Sequence, residues 1–359
     1  MEALLNNVPS DHTAMAMSDA SGVAFARRSA VEAARRVGCN ETDAGRIALI
    51  ATEAATNILK HAAHGEILVR ELKAHDASRG GIELIALDNG PGIADLSAAF
   101  SDGVSSVGTP GTGLGAMRRL ADEFSVYSQP GQGTAVHAIV YDSSRPSSAE
   151  HGPDAIDVGG IGVPYPGEFV CGDAWAVLDD SRGLTITVID GLGHGPDAHR
   201  AAIAGIEVAY AHTGESPGEL IERMHNAMRP TRGAAAAVAR IDLASNRVIF
   251  AGVGNISASV EGAVDPAEHA PGAPHRSRQL VSHNGIVGHT LRKVQEFDAP
   301  WSRDAMLVMH SDGIGTRWQL DHYAGLASRR SSLIAAALYR DFSRRRDDAT
   351  VVVVKSPRA

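Results

Sequence analysis

Residues 142–150, Asp-Ser-Ser-Arg-Pro-Ser-Ser-Ala-Glu, carry no apolar period, and the chain is patterned differently on either side of them. Before this stretch, apolar residues recur at helical spacing from Ala20 to Val37. They do so again from the capping run Asn40-Glu41-Thr42-Asp43 to about Ala62. Strand-like runs follow at Glu66 to Lys73 and Gly81 to Asp88, around a polar turn at His75 to Gly80. A helix from about Gly113 to Glu123 precedes a hairpin of Ser125 to Ser128 and Thr134 to Tyr141. After the break, strands dominate: Val170 to Leu178, Leu184 to Asp190, Ala235 to Asp242, Arg247 to Gly252, Ile256 to Val260, Ala305 to His310 and Ala349 to Val354. Two helices, Pro196 to His212 and Pro217 to Met228, interrupt them. Such a chain is expected to fold as two domains, 1–142 and 152–359, joined by a linker at 143–151, and 359 residues suffice for two cores. The first ten or so residues are polar and are expected to fray.

Composition narrows the class. With 44% hydrophobic and 21% charged residues the chain is globular rather than disordered, and with 4% aromatics its cores must be aliphatic. A net charge of -9 argues against nucleic-acid binding, which needs a basic surface. Cys39 and Cys171 stand far apart, which favours reduced thiols over a disulfide or a CxxC site. No apolar run reaches ~18 residues and no basic-then-apolar leader opens the chain, so a cytoplasmic protein without a membrane partner is expected.

The N-terminal part carries a nucleotide chemistry. Glu53 and Asn57 are spaced i,i+4 on the second helix, with His61 next on the same stripe, while Ile47, Ile50, Ala54 and Ile58 form the opposite, apolar face. Asn57 offers an oxygen to a phosphate-held Mg²⁺, and Glu53, one turn earlier, can orient or deprotonate a hydroxyl. An apolar strand then ends in Asp88, followed by Asn-Gly-Pro-Gly-Ile. A strand-end Asp can accept the adenine amino hydrogen bond, and Gly90 and Gly92 allow close backbone approach. Gly111-Thr112-Gly113-Leu114-Gly115 opens a helix whose N–H groups can meet a triphosphate. Each element alone is also an ordinary turn or solvated face; it is their order and spacing that carries weight.

These three elements resemble the GHKL (Bergerat-fold) ATPases over residues 20–141. Glu53, Asn57 and His61 match that family's N box, Asp88 to Gly92 its first glycine box, Gly111 to Gly115 its second, and Gly133-Thr134 its final Gly-Thr. The run Gly113 to Phe124 is most similar to the serine-kinase branch, the RsbW and RsbT group, whose members phosphorylate a serine on STAS-domain proteins. The resemblance implies an ATP-binding α/β sandwich with a mixed sheet, Glu53 as base toward the substrate serine, and Asn57 as Mg²⁺ ligand. Lys60, His61, Asp88, Gly90, Gly92, Gly111, Thr112, Gly113, Leu114, Gly115 and Thr134 complete the implied nucleotide contacts. The lid between Gly92 and Gly111 is short.

The C-terminal part places acidic residues at strand ends. Asp173 follows a glycine early in one strand, Asp190 closes the next, Asp312 closes the Met306 to His310 strand, and Asp347 sits just before the last strand. Carboxylates from separate strands can converge at a sheet edge, and oxygen-only ligation favours Mg²⁺ or Mn²⁺ over Zn²⁺. Two such ions can activate a water and clamp a phosphoryl group. Singly, each Asp before Gly is also a turn former.

The motifs Cys171-Gly-Asp173, Ile189-Asp-Gly-Leu-Gly-His-Gly195, Arg232-Gly-Ala234, Gly252-Val-Gly-Asn-Ile256, Gly285-Ile-Val-Gly288, Ser311-Asp-Gly-Ile314 and Arg346-Asp-Asp-Ala-Thr350 resemble the SpoIIE-type metal-dependent serine/threonine phosphatases, RsbX-like proteins included. That resemblance covers 155–355 and implies a β-sandwich flanked by helices. It implies Asp190, Asp312 and Asp347 on one metal, and Asp173, Asp190 and the Gly191 carbonyl on the other, with Asp347 rather than Asp348 as ligand. Asp190 thereby becomes the central catalytic position. The phosphate-gripping residue is unassigned, with His194 and Arg232 as candidates. Arg329, Arg330, Arg340 and Arg344 to Arg346 read as a solvated helix face or a steering patch for a phosphoprotein.

Together the resemblances imply a bifunctional partner-switching regulator: a serine kinase using ATP and Mg²⁺, and a phosphatase using two Mn²⁺ or Mg²⁺. Its expected partners are a STAS-domain anti-sigma antagonist or stressosome-like scaffold protein, and a sigma or anti-sigma factor in a stress response. The alternative is a phosphatase whose N-terminal domain only senses ATP or binds a sigma factor.

Overall fold

The first two helices start where capping residues place them. Asp19 accepts from the N–H groups of Ser21 and Gly22 and opens α1 (Ala20–Arg36); Asn40 accepts from Asp43 N and opens α2 (Glu41–His61). The computed structural model describes residues 11–62, 64–73, 79–100, 113–144, 156–262, 277–302 and 304–356. The expected frayed N-terminus, the Gly103 to Gly111 stretch and most of the linker lie outside them. The chain divides into two compact units. One is His12–Ser148 with Gln319–Arg340; the other is Met1–Asp11, Ala149–Trp318 and Asp341–Ala359.

In the first unit, β1 (Thr13–Met17), β2 (Gly65–Leu72), β3 (Gly81–Asp88), β4 (Glu123–Ser128) and β5 (Thr134–Tyr141) form one sheet in the order β1-β2-β3-β5-β4. Every neighbouring pair is antiparallel, so the expectation of a mixed sheet is corrected. The hairpin geometry of β4–β5 and the direct β2–β3 pairing leave no parallel crossover to make. Helices α1 and α2, α3 (Leu96–Ala99) and α4 (Gly113–Leu120) complete the unit; α4 ends before Glu123, which starts β4 instead. The apolar stripe Ile47, Ile50, Ala54 and Ile58 packs in one core with Ile67 and Val69 of β2 and Ile82, Leu84 and Ala86 of β3. Burying each of these larger aliphatic side chains contributes about 1.5–3 kcal/mol.

The other face of that sheet holds a buried ionic group. Glu83 is 2% exposed and sits 2.7 Å from Arg70 Nε, 2.9 Å from His137 Nε2 and 3.2 Å from His12 Nε2. Burial alone would raise its pKa, but Arg70, His12 and His137 together hold the carboxyl well below the usual range. Residues 143 and 144 are described, and Ser143 is bonded to the first unit. Ser143 donates through N and Oγ to Asp43 Oδ2 at 2.8 and 2.7 Å, tying it to the first turn of α2.

The second unit contains two antiparallel sheets. One uses β7 (Asp173–Asp180), β8 (Gly183–Gly191), β9 (Ala234–Asp242), β10 (Arg247–Val253) and β13 (Phe297–Pro300), in the order β13-β10-β9-β8-β7. The other uses β6 (Asp157–Val163), β11 (Ser257–Glu261), β12 (Ser277–Leu280), β14 (Met306–His310) and β15 (Ala349–Lys355), in the order β12-β11-β14-β15-β6. Trp175, Val177 and Ile186 of the first sheet share a core with Val260, Leu307, Met309 and Val352 of the second, which makes a β-sandwich. Helices α5 (Pro196–Ala211) and α6 (Pro217–Met228) cover the outer face of the first sheet, where Ala202, Ile206, Leu220 and Met224 meet Ala176, Ile189 and Val238.

The segment Gln319–Arg340 lies between two aspartate motifs of the C-terminal sequence, yet it belongs to the first unit. Its helix α7 begins at Ser331 and runs to Phe342. Within that unit, Tyr127 OH donates to the Ala324 carbonyl at 3.4 Å, Tyr339 OH donates to Glu66 Oε2 at 3.4 Å, and Arg330 lies 3.5 Å from Glu123. Arg340 is only 7% exposed, which corrects its placement on a solvated face; Arg329 and Arg330 are exposed.

Candidate active sites

The nucleotide side begins on α2. Glu53 and Asn57 are half-buried and project from it, because Ala54 and Ile58 hold the helix to the core. Gly113, the first residue of α4, fits against this pair. A Cβ there would lie 3.0 Å from Asn57 Nδ2 and 3.4 Å from Glu53 Oε2, so a larger residue would require this pair to shift, and glycine lets the start of α4 come close without that. Leu114 and Gly115 are buried in the first turn of α4, while Gly111 and Thr112 lie outside the described residues. Lys60 and His61 are exposed at the end of α2.

Asp88 ends β3, opposite Gly65 of β2 and Thr134 of β5. Its Oδ1 accepts from Gly90 N at 2.8 Å. Burial raises its pKa, opposed by the Gly90 and Thr134 N–H groups and by the charges of Arg340 and His61. Gly92, at φ +70°, turns the first glycine box back toward the β4–β5 hairpin. There Gly131 N donates to Pro91 O at 2.7 Å and Ile93 N donates to Ser128 Oγ at 2.8 Å. Ser128 Oγ in turn lies 3.0 Å from Thr134 Oγ1. A Cβ on Gly90 would sit 2.9 Å from the Ala62 Cβ, so this box folds onto the end of α2. Glu53, Asn57 and Gly113 thus form one wall, and Asp88, Gly90 and Thr134 another. A helix N-terminus with a carboxylate and an amide beside it fits a nucleotide held by phosphate and base.

The acidic side is assembled from strand ends. Asp173 and Asp190 are cross-strand partners on β7 and β8. Asp312 follows β14 by two residues, and Asp347 precedes β15 by two. Burial and then the charges of Asp312 and Asp347 push Asp190 up to about 7. Burial and then Asp312 raise Asp347, and burial and then Asp190 lift Asp173 well above the ordinary range. Like charges gathered this closely strain the fold unless something positive joins them.

Two neutral donors relieve part of that strain. Ser311 Oγ donates to Asp173 Oδ2 at 2.6 Å, and Asn255 Nδ2 donates to Asp312 Oδ2 at 2.8 Å. Among the described residues no three His, Cys, Asp or Glu side chains share one ligating centre. The donor set remains all oxygen and strongly acidic, which fits a hard divalent cation. Of the final pair, Asp347 is half-buried and Asp348 is 2% exposed, its Oδ1 accepting from Tyr165 N at 2.8 Å. Gly191 is packed so tightly against the Ala198 backbone that a Cβ would collide with it.

The two candidate phosphate grips are both paired. His194 Nδ1 lies 2.7 Å from Glu168 Oε1 and its ring stacks on Tyr165 at 4.4 Å, while Arg232 Nη2 lies 2.8 Å from Asp197 Oδ2. Sequence reasoning assigns no role in either site to Ser311, Asn255, Glu168 or Arg340. Ser311 and Asn255 fall inside the phosphatase-like motifs; nothing local marks Glu168 or Arg340. Cys39 and Cys171 are free thiols, half-buried and buried.

A nucleotide cradle on an antiparallel α/β unit and a strand-end carboxylate cluster on a helix-flanked β-sandwich define a kinase-like ATPase domain joined to a phosphatase-type domain. Comparison with known proteins agrees. Residues 17–140 match the histidine kinase-like ATPase domain family, and residues 180–357 match the stage II sporulation protein E (SpoIIE) family. The chain is 37% identical over 117 residues to the serine/threonine-protein kinase RsbT of Bacillus subtilis (strain 168), covering 33% of this chain and 86% of that protein. It is 25% identical over 148 residues to the phosphoserine phosphatase RsbX of the same organism, covering 41% of this chain and 69% of that one. Among solved structures, one described as "The bacterial stressosome: a modular system that has been adapted to control secondary messenger signaling" matches with a TM-score of 0.50 and 26% identity. It covers 56% of this chain and all (100%) of its own. A structure of RsbX in complex with magnesium matches at a TM-score of 0.48 and 21% identity, covering 56% and 95%. The chain therefore belongs to the RsbT-type kinase-like ATPases in its N-terminal part, and its C-terminal part is similar to the SpoIIE phosphatases. Among the described residues no helix is long and apolar enough to cross a membrane.

Proposed function

We propose that this chain is a bifunctional switch, phosphorylating a serine on a STAS-domain regulatory or scaffold protein with one unit and removing phosphate from such a protein with the other. What supports the pairing is that each site is chemically furnished. Glu53 and Asn57 face the start of α4, and at the sheet edge burial and neighbouring carboxylates raise Asp173, Asp190 and Asp347 above the usual range. RsbT is a serine/threonine-protein kinase and RsbX a phosphoserine phosphatase, which gives the substrate class of each half. The stressosome likeness supports a scaffold partner, and a cytoplasmic location follows from such a partner.

In the kinase step, Asp88 holds the adenine edge and the N–H groups at the start of α4 meet the phosphates. Asn57 would hold Mg²⁺, and Glu53 takes the proton of the attacking serine hydroxyl. In the phosphatase step, Asp190, Asp312 and Asp347 would hold one divalent cation, and Asp173, Asp190 and the Gly191 carbonyl a second. Bound there, the cations supply charge neutralisation and activation of water. Ser311 and Asn255 orient two of the four carboxylates through the bonds described above. His194, whose charge acts on Asp347, and Arg232, paired with Asp197, are the candidates to hold the phosphoryl oxygens.

The test uses the full chain with labelled ATP, Mg²⁺ and a STAS-domain protein, followed by Mn²⁺. Label should move to a serine and then be released, with Glu53→Gln blocking the first event alone and Asp190→Asn the second alone. Transfer undiminished in Glu53→Gln would falsify the kinase assignment. Release undiminished in Asp190→Asn rules out the aspartate cluster as the phosphatase site.

A further inference from the structure

The first unit contains a charged residue that its own sequence motifs do not supply. Arg340 lies within the residues that match the SpoIIE family, yet it folds with the nucleotide unit. It is 7% exposed, and its Nη1 donates to the main-chain carbonyl of Asp88 at 3.4 Å. Asp88 is the strand-end residue that the proposed nucleotide reading sets against the base. Its Oδ1 already accepts from Gly90 N at 2.8 Å, so the side chain is fixed on one side and needs its remaining lone pairs for a ligand. The helix carrying Arg340 is anchored in the same unit through Tyr339, whose hydroxyl donates to Glu66 at 3.4 Å on neighbouring β2. The guanidinium is therefore held in place beside the end of β3.

We propose that Arg340 is a positioning residue of the nucleotide site, fixing the end of β3 and keeping Asp88 in the form that accepts a hydrogen bond from an adenine amino group. A protonated Asp88 would present an O–H where the amino group also presents N–H, and the contact would turn repulsive. Burial drives Asp88 toward that form, and the Arg340 charge opposes it. His61 contributes in the same direction, but it is exposed at the end of α2 and screened by solvent. The chemistry selected is a 6-amino purine over a 6-oxo purine, since the latter offers an acceptor to an acceptor.

This inference rests on the ATP assignment above and is tested on the full chain by titrating ATP and inosine triphosphate into wild type, Arg340→Met and Arg340→Lys at pH 7. Wild type should prefer ATP. Arg340→Met should weaken ATP by about 10-fold while leaving inosine triphosphate within about 2-fold, as expected for one charge-assisted bond. Arg340→Lys should recover part of the preference by restoring the charge. An equal loss for both nucleotides in Arg340→Met marks a structural role only and overturns the proposal, as does unchanged selectivity. A wild type that binds nucleotide without preferring ATP defeats the adenine role of Asp88 and this inference with it. The kinase assignment stands or falls separately, by transfer in Glu53→Gln. Should Arg340→Met not fold, the Arg340→Lys selectivity ratio decides alone: partial loss supports the proposal and an unchanged ratio overturns it.

Discussion

The two sites are built on opposite electrostatic plans. The proposed nucleotide site uses few charges: Glu53 and Asp88 stand apart, and the rest of what would meet a ligand is backbone, amide and a helix N-terminus. The acidic site concentrates four carboxylates, two of them cross-strand neighbours, and burial with the neighbouring charges raises Asp173, Asp190 and Asp347. The first site is nearly relaxed without a ligand, while the second is strained by its own composition. A chain that keeps such strain is set up to bind something positive there, and a separate, less acidic cradle with a helix N-terminus is set up to bind something anionic.

That contrast can be broken most forcefully at Asp190, which touches both halves of the proposed cation cluster. Asp190→Asn should lower phosphatase kcat/KM by about 10³-fold and leave ATP affinity within about 2-fold, measured on a phosphoserine protein and by nucleotide titration. Comparable losses in both readouts would mean that the sites are not separable. Next in size, Glu53→Gln should reduce phosphoryl transfer by about 10²-fold, the lower end of a general-base effect, with release of phosphate from a phosphoserine protein unaffected.

The two units should also differ in what acid does to them. Glu83 has a folded-state pKa well below its unfolded value, so its ionised form stabilises the first unit above about pH 4.3. That contribution is lost as pH falls through the folded value. Glu83→Gln should destabilise the first unit by about 2 kcal/mol at pH 7 and flatten the loss of stability as pH falls below about 4.3, read by thermal melts. An unchanged acid limb in the variant would show that Glu83 does not set it. The smallest effect returns to Asp190. In chelator at pH 7, Asp190→Asn should stabilise the second unit by about 1 kcal/mol, roughly 2–4 °C in Tm, by removing one like charge. A fall in Tm would argue that Asp190 is relaxed in the absence of cations.

Legibility in the sequence follows the same division. The nucleotide site depends on short-range spacing, and i,i+4 for Glu53 and Asn57, a strand end for Asp88 and a glycine at a helix start can all be read from a single chain. The contact of Gly113 with Asn57 follows from those elements once they pack. The sandwich is legible where strands are β-branched, and illegible at β6, β12 and β13. Strand β6 reads Asp-Val-Gly-Gly-Ile-Gly-Val, and its glycines hide the strand signal. Gly160 is there because the Trp175 ring lies over it, a packing fact with no local trace. Strand β1, Thr-Ala-Met-Ala-Met, has weak strand propensity and is held by pairing with β2. Arg340 reads as solvated from the sequence because helical spacing cannot say which unit a helix will join.

Anomalous scattering from crystals of the full chain soaked in Mn²⁺ tests the strained cluster most directly. The account predicts peaks contacting Asp190 and at least two of Asp173, Asp312 and Asp347, with Asp312 turned away from Asn255. Manganese bound elsewhere while these carboxylates keep their bonds to Ser311 and Asn255 would contradict it.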